Sequence, residues 1–134
     1  MVDDLESVIE KALGGDGASR AKVRGFEPAD VVPKLVAQFT SPKTKIRTNA
    51  IGMATGIASF AKLVPLDQLL GALADPDAEV RLATAVGLKR AFPTEPHFKP
   101  QAEQIRPALA PCLKDSDPRV REQAGHAWRA LGLG

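Results

Sequence analysis

Two matching stretches of the sequence carry the residues best suited to chemistry, DPDAEVR at 75–81 and DSDPRVR at 115–121. Each stretch places two aspartates two positions apart and ends in a Val-Arg pair. Such a stretch could be half of a calcium-binding loop, a phosphate trap or the entrance to a helix. An EF-hand loop also needs a third oxygen ligand, a glycine and a distal glutamate, whereas DPDAEVR offers a glutamate and then an arginine. We therefore predict a helix entrance and no metal site.

One aspartate of each pair is expected to cap the helix, while the other lies in the favourable field of the helix dipole. Proline is best tolerated at the first position of a helix. Pro76 therefore favours Asp75 as the cap of its helix, whereas Pro118 favours Asp117. The sequence leaves both alternatives open.

A third stretch, SPKTKIR at 41–47, has cations where the other two have acids. Lys43, Lys45 and Arg47 fall in the first turns of a helix, where the dipole disfavours positive charge. Residues 20–47 hold seven basic and two acidic residues, a net charge of +5, although the whole chain carries only +2. One interpretation is an anion site for a phosphate or an acidic partner. The other is a solvated face with a flexible arm.

No catalytic set emerges from the remaining reactive residues. Neither the single cysteine, Cys112, nor the histidines His97 and His126 have partners at the spacing of a metal or nucleophile site. The glycines of Gly14–Gly17 are spaced as in a phosphate loop, but no strand precedes them and no Gly-Lys-Ser/Thr follows. We predict no catalytic residue and no cofactor.

Composition narrows the class of protein. The chain has 134 residues, 44% hydrophobic and 25% charged, with aromatic residues at 4%. So few aromatic rings argue against base-stacking surfaces and aromatic-lined pockets. The first segment carries four acids before its first lysine, which is wrong for a secretory signal, and the longest uncharged run, 48–61, is too short to span a bilayer. We therefore expect a cytoplasmic protein that does not contact a membrane.

The Val-Arg pairs belong to an internal repeat. Val80-Arg81 aligns with Ile46-Arg47, 34 residues earlier, and with Val120-Arg121, 40 residues later. Further columns of small or apolar residues fall in the same frame: Leu35, Leu69 and Leu109; Phe39, Leu73 and Leu113; Ala50, Thr84 and Ala124. Apolar residues three and four positions apart predict two helices in each unit. Because such a pair cannot close a core alone, consecutive pairs must stack.

This pattern resembles HEAT-repeat proteins over about residues 28–132. The resemblance is carried by Asp75 with Val80-Arg81, by Asp115 with Val120-Arg121, and by the ending Ala-Trp-Arg-Ala-Leu-Gly. It implies an α-solenoid whose second helices line a concave face, with aspartate and arginine columns bonded between successive repeats. The first unit departs from this pattern, because it has Ser41 in the aspartate column. Most proteins of this family are scaffolds, and a minority are enzymes or enzyme subunits, including DNA glycosylases and phycobilin lyases.

The predicted fold is all-α, a short right-handed α-solenoid of about three HEAT-like hairpins plus an N-terminal helix. The single domain, 1–134, divides into the N-terminal helix, a flexible basic connector and three repeats, at 1–14, 15–27, 28–64, 65–104 and 105–134 respectively. The longer spacing before the third repeat comes from the proline-rich stretch 91–104, where His97 and Phe98 are either contact residues or part of a plain linker.

The predicted function is a non-catalytic protein-interaction module that binds another protein through its concave face and its exposed end. On the concave face we expect the aligned second-helix residues Arg47, Thr55, Arg81, Lys89, Arg121 and Arg129. Self-association through the last helix, which carries Trp128, is a further expectation. The alternatives are a nucleic-acid or polyanion binder using 20–47, and a subunit of a lyase or other enzyme complex. The candidate partner-binding residues are Lys43, Lys45, Arg47, Arg81, Lys89, His97, Phe98, Arg121, Trp128 and Arg129.

Overall fold

The structure, a computed structural model, describes residues 4–91 and 99–133. These ranges are helical and contain no β-strand, which confirms the predicted all-α class. None of the described helices is long and apolar enough to cross a membrane. The chain forms two compact units, Met1–Val64 and Pro65–Gly134, called unit 1 and unit 2 below.

Unit 1 contains five α-helices in its described part, and the third ends in a 3₁₀ turn at Gln38–Thr40. The helices are α1 (Leu5–Leu13), α2 (Gly17–Val23), α3 (Pro28–Ala37), α4 (Thr44–Gly56) and α5 (Ala58–Ala61). Helices α1 and α2 pack against each other, and α3 packs against α4. These two hairpins form the body of the unit.

Unit 2 contains two further hairpins in its described part. Its helices are α6 (Leu66–Gly71), α7 (Ala78–Ala91), α8 (Lys99–Leu109) and α9 (Pro118–Ala130), with 3₁₀ turns at Ala72–Ala74 and Ala110–Lys114. The second helices of the two hairpins, α7 and α9, pack directly against each other. Unit 2 therefore has two neighbouring turns, one at the start of each second helix.

The aligned columns of the sequence form the core of the hairpins. Seven of these side chains are fully buried: Leu35, Leu69, Leu109, Val80, Val120, Ala50 and Ala124. Thr84, the one polar member, is also fully buried and donates its hydroxyl to the carbonyl of Val80 at 2.7 Å. A hydroxyl that bonds within its own helix can occupy an apolar core without leaving a donor unsatisfied.

The segment 15–27, expected to be a connector, contains helix α2. Gly15 has φ 107°, and its N–H and that of Asp16 bond back to the carbonyls of Ala12 and Lys11, which is the Schellman end of a helix. Asp16 then caps α2 by accepting from the backbone N–H of Ser19 at 3.0 Å. The glycines that suggested a loop therefore end one helix, and the next begins at once.

The hairpin of α1 and α2 continues the frame of the repeats. Its positions are counted from the cap Asp16. Val8 then aligns with Leu69 and Ala12 with Leu73, while Arg20 aligns with Arg81 and Val23 with Thr84. All three apolar members are buried. Unit 1 thus begins with a shortened fourth hairpin, where the sequence analysis expected one helix.

Candidate functional site

The two aspartates before each second helix of unit 2 build the same turn twice. Asp77 accepts from the N–H of Glu79, and Asp117 from the N–H of Arg119, each at 2.8 Å. The first aspartate of each pair accepts from the N–H of the second at 2.9 Å. The second aspartate is therefore the cap in both turns, which settles the question that the prolines left open.

These contacts explain the paired aspartates without a metal. Each pair satisfies backbone donors that the start of a helix leaves unpaired. In the part of the chain that the structure describes, no three histidine, cysteine or acidic side chains are grouped so that they could hold a metal ion. The recurring motif is thus a structural turn.

Arg81, on α7, links the two hairpins of unit 2. It binds Asp115, the first aspartate of the turn before α9. Its Nε donates to Asp115 Oδ2 at 2.7 Å, and its Nη2 donates to Oδ1 at 3.0 Å. The two side chains are only 16% and 9% exposed. The Arg81 hydrogen bond is the main reason that the pKa of Asp115 lies below its usual value, although burial acts in the opposite direction. This bidentate pair is the inter-repeat bond that the resemblance implies.

The arginine column has a second contact, which recurs in three hairpins. One terminal nitrogen, Nη1, donates to the backbone carbonyl six residues earlier, at 2.7–2.8 Å; the pairs are Arg47 with Ser41, Arg81 with Asp75 and Arg121 with Asp115. Each guanidinium thereby uses Nη1 to stabilise the turn that precedes its own helix. In Arg81 the other edge, Nε with Nη2, binds the carboxylate of the following hairpin.

The family comparison agrees with this geometry. Residues 105–133, which span the end of α8, the following 3₁₀ turn and α9, match the family model described as HEAT repeat. This segment is therefore similar to a HEAT repeat. HEAT repeats are typical of protein-interaction modules. No curated protein matched the chain.

A second ion pair joins the two hairpins of unit 2 at the surface. Arg119 Nη2 donates to Glu79 Oε1 at 2.6 Å and to Asp117 Oδ2 at 2.9 Å. Arg119 lowers the pKa of Asp117 to about 2, chiefly through its side-chain hydrogen bond. The sequence analysis missed this pair, although Glu79 and Arg119 share one column of the frame with opposite charges. Both partners are more than half exposed, so the pair contributes little to stability.

The SPKTKIR turn keeps the same backbone with different chemistry. Ser41 Oγ accepts from the N–H of Lys43 at 3.2 Å, as the first aspartate does in the other two turns. Lys43 occupies the cap position of α4, but its side chain makes no capping bond. The first turn of α4 also has no acidic residue. The second helix of this hairpin, α4, therefore begins without the carboxylates that cap α7 and α9.

Lys45 lies in the first turn of α4, where the dipole is unfavourable for a cation, but its side chain also contacts the C-terminal end of α1. Its Nζ donates to the carbonyl of Gly14 at 3.1 Å, and Asn49 Nδ2 donates to the carbonyl of Leu13 at 2.7 Å. These carbonyls belong to the last turn of α1, where the dipole favours a cation. The lysine that looked unfavourable in the first turn of α4 thus stabilises the C-terminal end of another helix.

Lys43 lies on the wall of a groove in unit 1. The groove has a volume of about 590 Å³, with Ile9, Leu13 and Ile46 among its apolar lining. Its charged lining includes Lys34, which donates to Glu6 at 2.6 Å and lowers the pKa of that carboxyl. Cations and acids thus both line this groove, so it is not a purely basic anion site.

Three other predicted site residues belong to unit 2. Lys89 and Arg129 are exposed and occupy equivalent positions on α7 and α9, and Trp128 is half-buried beside Arg129. The Arg129 guanidinium lies over Gly125, with Nη1 3.6 Å from the point that a Cβ atom would take there. His97 and Phe98 lie outside the described residues.

Thr55 does not fit its predicted place on an open face. Its side chain is buried, and its hydroxyl donates to the carbonyl of Ile51 at 2.7 Å. The position aligns with Lys89 and Arg129, which are exposed, so this column is not basic and exposed in all three hairpins. The expectation for Thr55 was wrong, because a β-branched hydroxyl that bonds its own helix can be buried.

The single cysteine lies in the core of unit 2. Cys112 is buried, and its Sγ lies 3.6 Å from the carbonyl of Leu73. Burial is the main cause that raises the pKa of the Cys112 thiol, and the charge of Asp115 acts in the same direction. The thiol is therefore protonated and inaccessible near neutral pH.

We expect Cys112 to react with a thiol reagent at pH 8 at least about a hundredfold more slowly in the native chain than in urea. Reaction requires opening of unit 2, because the side chain is 2% exposed. The release of a coloured thiolate from Ellman's reagent measures both rates. A native rate close to that of the unfolded chain would contradict the burial of this side chain.

Proposed function

We propose that this chain is a non-catalytic module that binds another protein through the second helices of its HEAT repeats, above all those of unit 2. The observation that carries the proposal is a set of exposed cationic side chains in unit 2 whose charged groups are not fully used by contacts within the described residues. Lys89 and Arg129 have no hydrogen bond or ion pair within residues 4–91 and 99–133, and Arg121 uses one edge of its guanidinium only. The solenoid prediction places these residues on the concave face.

The cations of unit 2 differ from those of the predicted basic segment. In unit 1, Lys45 and Arg47 bond to backbone carbonyls of their own unit. Exposed cations without an internal partner keep their charge for complementary groups of a partner. We therefore expect a partner with a complementary acidic surface, recognised chiefly by α7 and α9.

The test reverses charge on this surface and asks whether the bound proteins change. The full-length chain and its Lys89→Glu, Arg129→Glu double variant would be immobilised and exposed to extract of the native cell, with the captured proteins quantified by mass spectrometry. The matched control is Arg24→Glu with Lys62→Glu, which makes the same charge change at exposed positions of unit 1. We expect about a tenfold or greater loss of the specific partner in the first variant alone. Equal capture by all three chains would contradict the proposal.

Polyanion binding remains the second candidate function for residues 20–47. It is favoured by the exposed Lys43 at an uncapped helix start. If it is correct, the chain binds heparin or DNA at low salt, binding disappears by moderate salt, and the Lys43→Glu, Lys45→Glu double variant does not bind. Because Lys45 also bonds to Gly14, the single Lys43→Glu variant separates loss of binding from loss of stability. No binding by the wild-type chain at low salt would remove this candidate.

Self-association through the last helix and the cytoplasmic location stay predictions. Static light scattering of the wild-type chain over a wide concentration range tests the first. A strictly monomeric chain at high concentration would contradict it.

A further inference from the structure

The groove of unit 1 lies between the first and second hairpins of that unit. Four of its lining residues come from α1: Glu6, Ile9, Glu10 and Leu13. Because they recur at intervals of three and four positions, they form one stripe of the helix. The remaining lining residues come from the end of α3, the turn after it and the first turn of α4. The packing of the first hairpin on the second therefore creates the groove.

The apolar lining of the groove contains both buried and accessible side chains. Ile9 and Leu13 are buried and Ile46 is half-buried, whereas Ala37 and Pro42 are exposed. The volume of the groove, about 590 Å³, is within the usual range of ligand clefts. An aliphatic side chain that covered Ala37, Pro42 and Ile46 would remove apolar surface from water on both partners. The groove therefore favours a ligand with at least one such side chain.

Four charged side chains line the groove, and two of them pair with each other. Lys34 donates to Glu6 at 2.6 Å. The other two, Glu10 and Lys43, are exposed and form no ion pair or side-chain hydrogen bond with residues 4–91 and 99–133. Glu10 lies on α1, and Lys43 directly precedes α4. The groove thus offers one unpaired carboxylate and one unpaired ammonium group beside an apolar surface.

These two charges select against ligands of a single sign. A polyanion is attracted by Lys43 but repelled by Glu10, and a basic ligand meets the reverse arrangement. An extended peptide can match both charges, because its alternate side chains point to the same side. A segment with an acid, an aliphatic residue and a base at alternate positions therefore complements the groove.

We propose that the groove of unit 1 binds such an extended segment of another protein. The acidic residue of the segment pairs with Lys43, its basic residue pairs with Glu10, and its aliphatic side chain packs on Ile46. Recognition by alternate side chains is a general mode of peptide binding. The inference goes beyond the proposed function, because no residue of α7 or α9 takes part. The chain then has a binding surface in each unit.

Three short peptides with capped ends test the charge complementarity. They are Asp-Ala-Leu-Ala-Lys, which carries both charges, the acidic Asp-Ala-Leu-Ala-Asp and the basic Lys-Ala-Leu-Ala-Lys. Each is titrated into the isotope-labelled full-length chain, and amide chemical shifts in NMR spectra give the binding site and the dissociation constant. The titrations are done at low salt, because salt screens exposed charges.

We expect the peptide with both charges to shift the amides of Leu13, Gln38 and Ile46 with a dissociation constant of about 1 mM or less. It should bind the wild-type chain at least about threefold more tightly than the acidic or the basic peptide. Lys43→Glu should prefer the basic peptide and Glu10→Lys the acidic one, since each variant leaves unpaired charges of one sign only. No binding of any peptide at about 10 mM, or tightest binding of a single-sign peptide to the wild-type chain, would overturn the inference.

Ala37→Gln tests whether the peptide lies in the groove. Ala37 is exposed, so the fold tolerates a longer side chain there, and the added atoms take space from the groove. Binding of the peptide with both charges should weaken at least about tenfold. The matched control is Ala29→Gln, the same change at an exposed position of α3 outside the groove lining. Equal binding by the two variants would rule out the groove as the site.

Two further outcomes concern the partner. The Lys89→Glu, Arg129→Glu double variant should bind the peptide as the wild-type chain does, so that the proposed function and this inference fail separately. Loss of peptide binding in that variant would overturn the inference. A dimer of the wild-type chain that Ala37→Gln dissociates would show that a second copy occupies the groove, and it would overturn the choice of another protein.

Discussion

Replacing Arg81 by glutamine lowers the free energy of unfolding of unit 2 by about 2–4 kcal/mol. The substitution removes both bonds to Asp115 and the bond to the carbonyl of Asp75, and it leaves a carboxylate that is only 9% exposed. A buried charge that loses its partner costs more than the pair contributed, because water cannot fully replace the lost donors. Urea unfolding followed by the fluorescence of Trp128, the single tryptophan, measures the change in unit 2.

Arg119→Gln is the matched control for this prediction. It also removes an arginine that joins the two hairpins of unit 2, but the side chains of Arg119 and Glu79 are 54% and 53% exposed. Exposed pairs contribute little to stability, so the two variants should differ clearly. Equal losses in both would show that burial does not decide the strength of the inter-repeat bond.

The same pair predicts a pH dependence. Because the pKa of Asp115 is lowered in the folded chain, its contribution is fully present above its unfolded pKa of about 4 and is lost as the pH falls through the folded value. The free energy of unfolding of the wild-type chain should therefore fall between about pH 5 and pH 2 more steeply than that of Asp115→Asn. Parallel curves for the two chains would indicate that Asp115 has no lowered pKa.

Local periodicity was enough to place the hairpins and their core. Leu35, Leu69 and Leu109 were aligned by spacing alone, and all three are fully buried. This works because each hairpin is made of residues close in sequence, so that the apolar pattern determines which faces meet. The columns also extend to Val8 and Ala12, and the missed N-terminal hairpin could have been found from Asp16 and Arg20 at the cap and arginine positions.

Other features depend on contacts that the spacing of neighbouring residues in the sequence does not reveal. Pro76 left the choice of cap open, because a proline at the first helical position favours Asp75 but a proline also fits the extended turn that precedes the cap Asp77. Lys45 looked unfavourable in α4 because its partner, the carbonyl of Gly14, lies 31 residues earlier in the chain. The turn chemistry was therefore predictable in kind, and its partners were not.

Replacing Leu109 by alanine should lower the free energy of unfolding of unit 2 by about 2–5 kcal/mol. Leu109 is fully buried on α8, and loss of its isobutyl group removes apolar contacts and leaves a cavity that helices joined by short turns cannot readily close. Unit 2 has only two hairpins in its described part, so that few other buried side chains can compensate. The midpoint of the urea transition reported by Trp128 should fall by roughly 1–2 M.

Leu63→Ala provides the same chemical change at an exposed position. Its side chain is 48% exposed, so the loss of stability should stay below about 0.5 kcal/mol. Because Leu63 lies in unit 1, the two variants are compared by urea unfolding followed by circular dichroism of the whole chain. A large loss in Leu109→Ala with a small loss in Leu63→Ala would assign the effect to burial. A small loss in both would mean that the leucine column does not carry the core of unit 2, and the alignment that places Leu109 beside Leu69 and Leu35 would lose its physical basis.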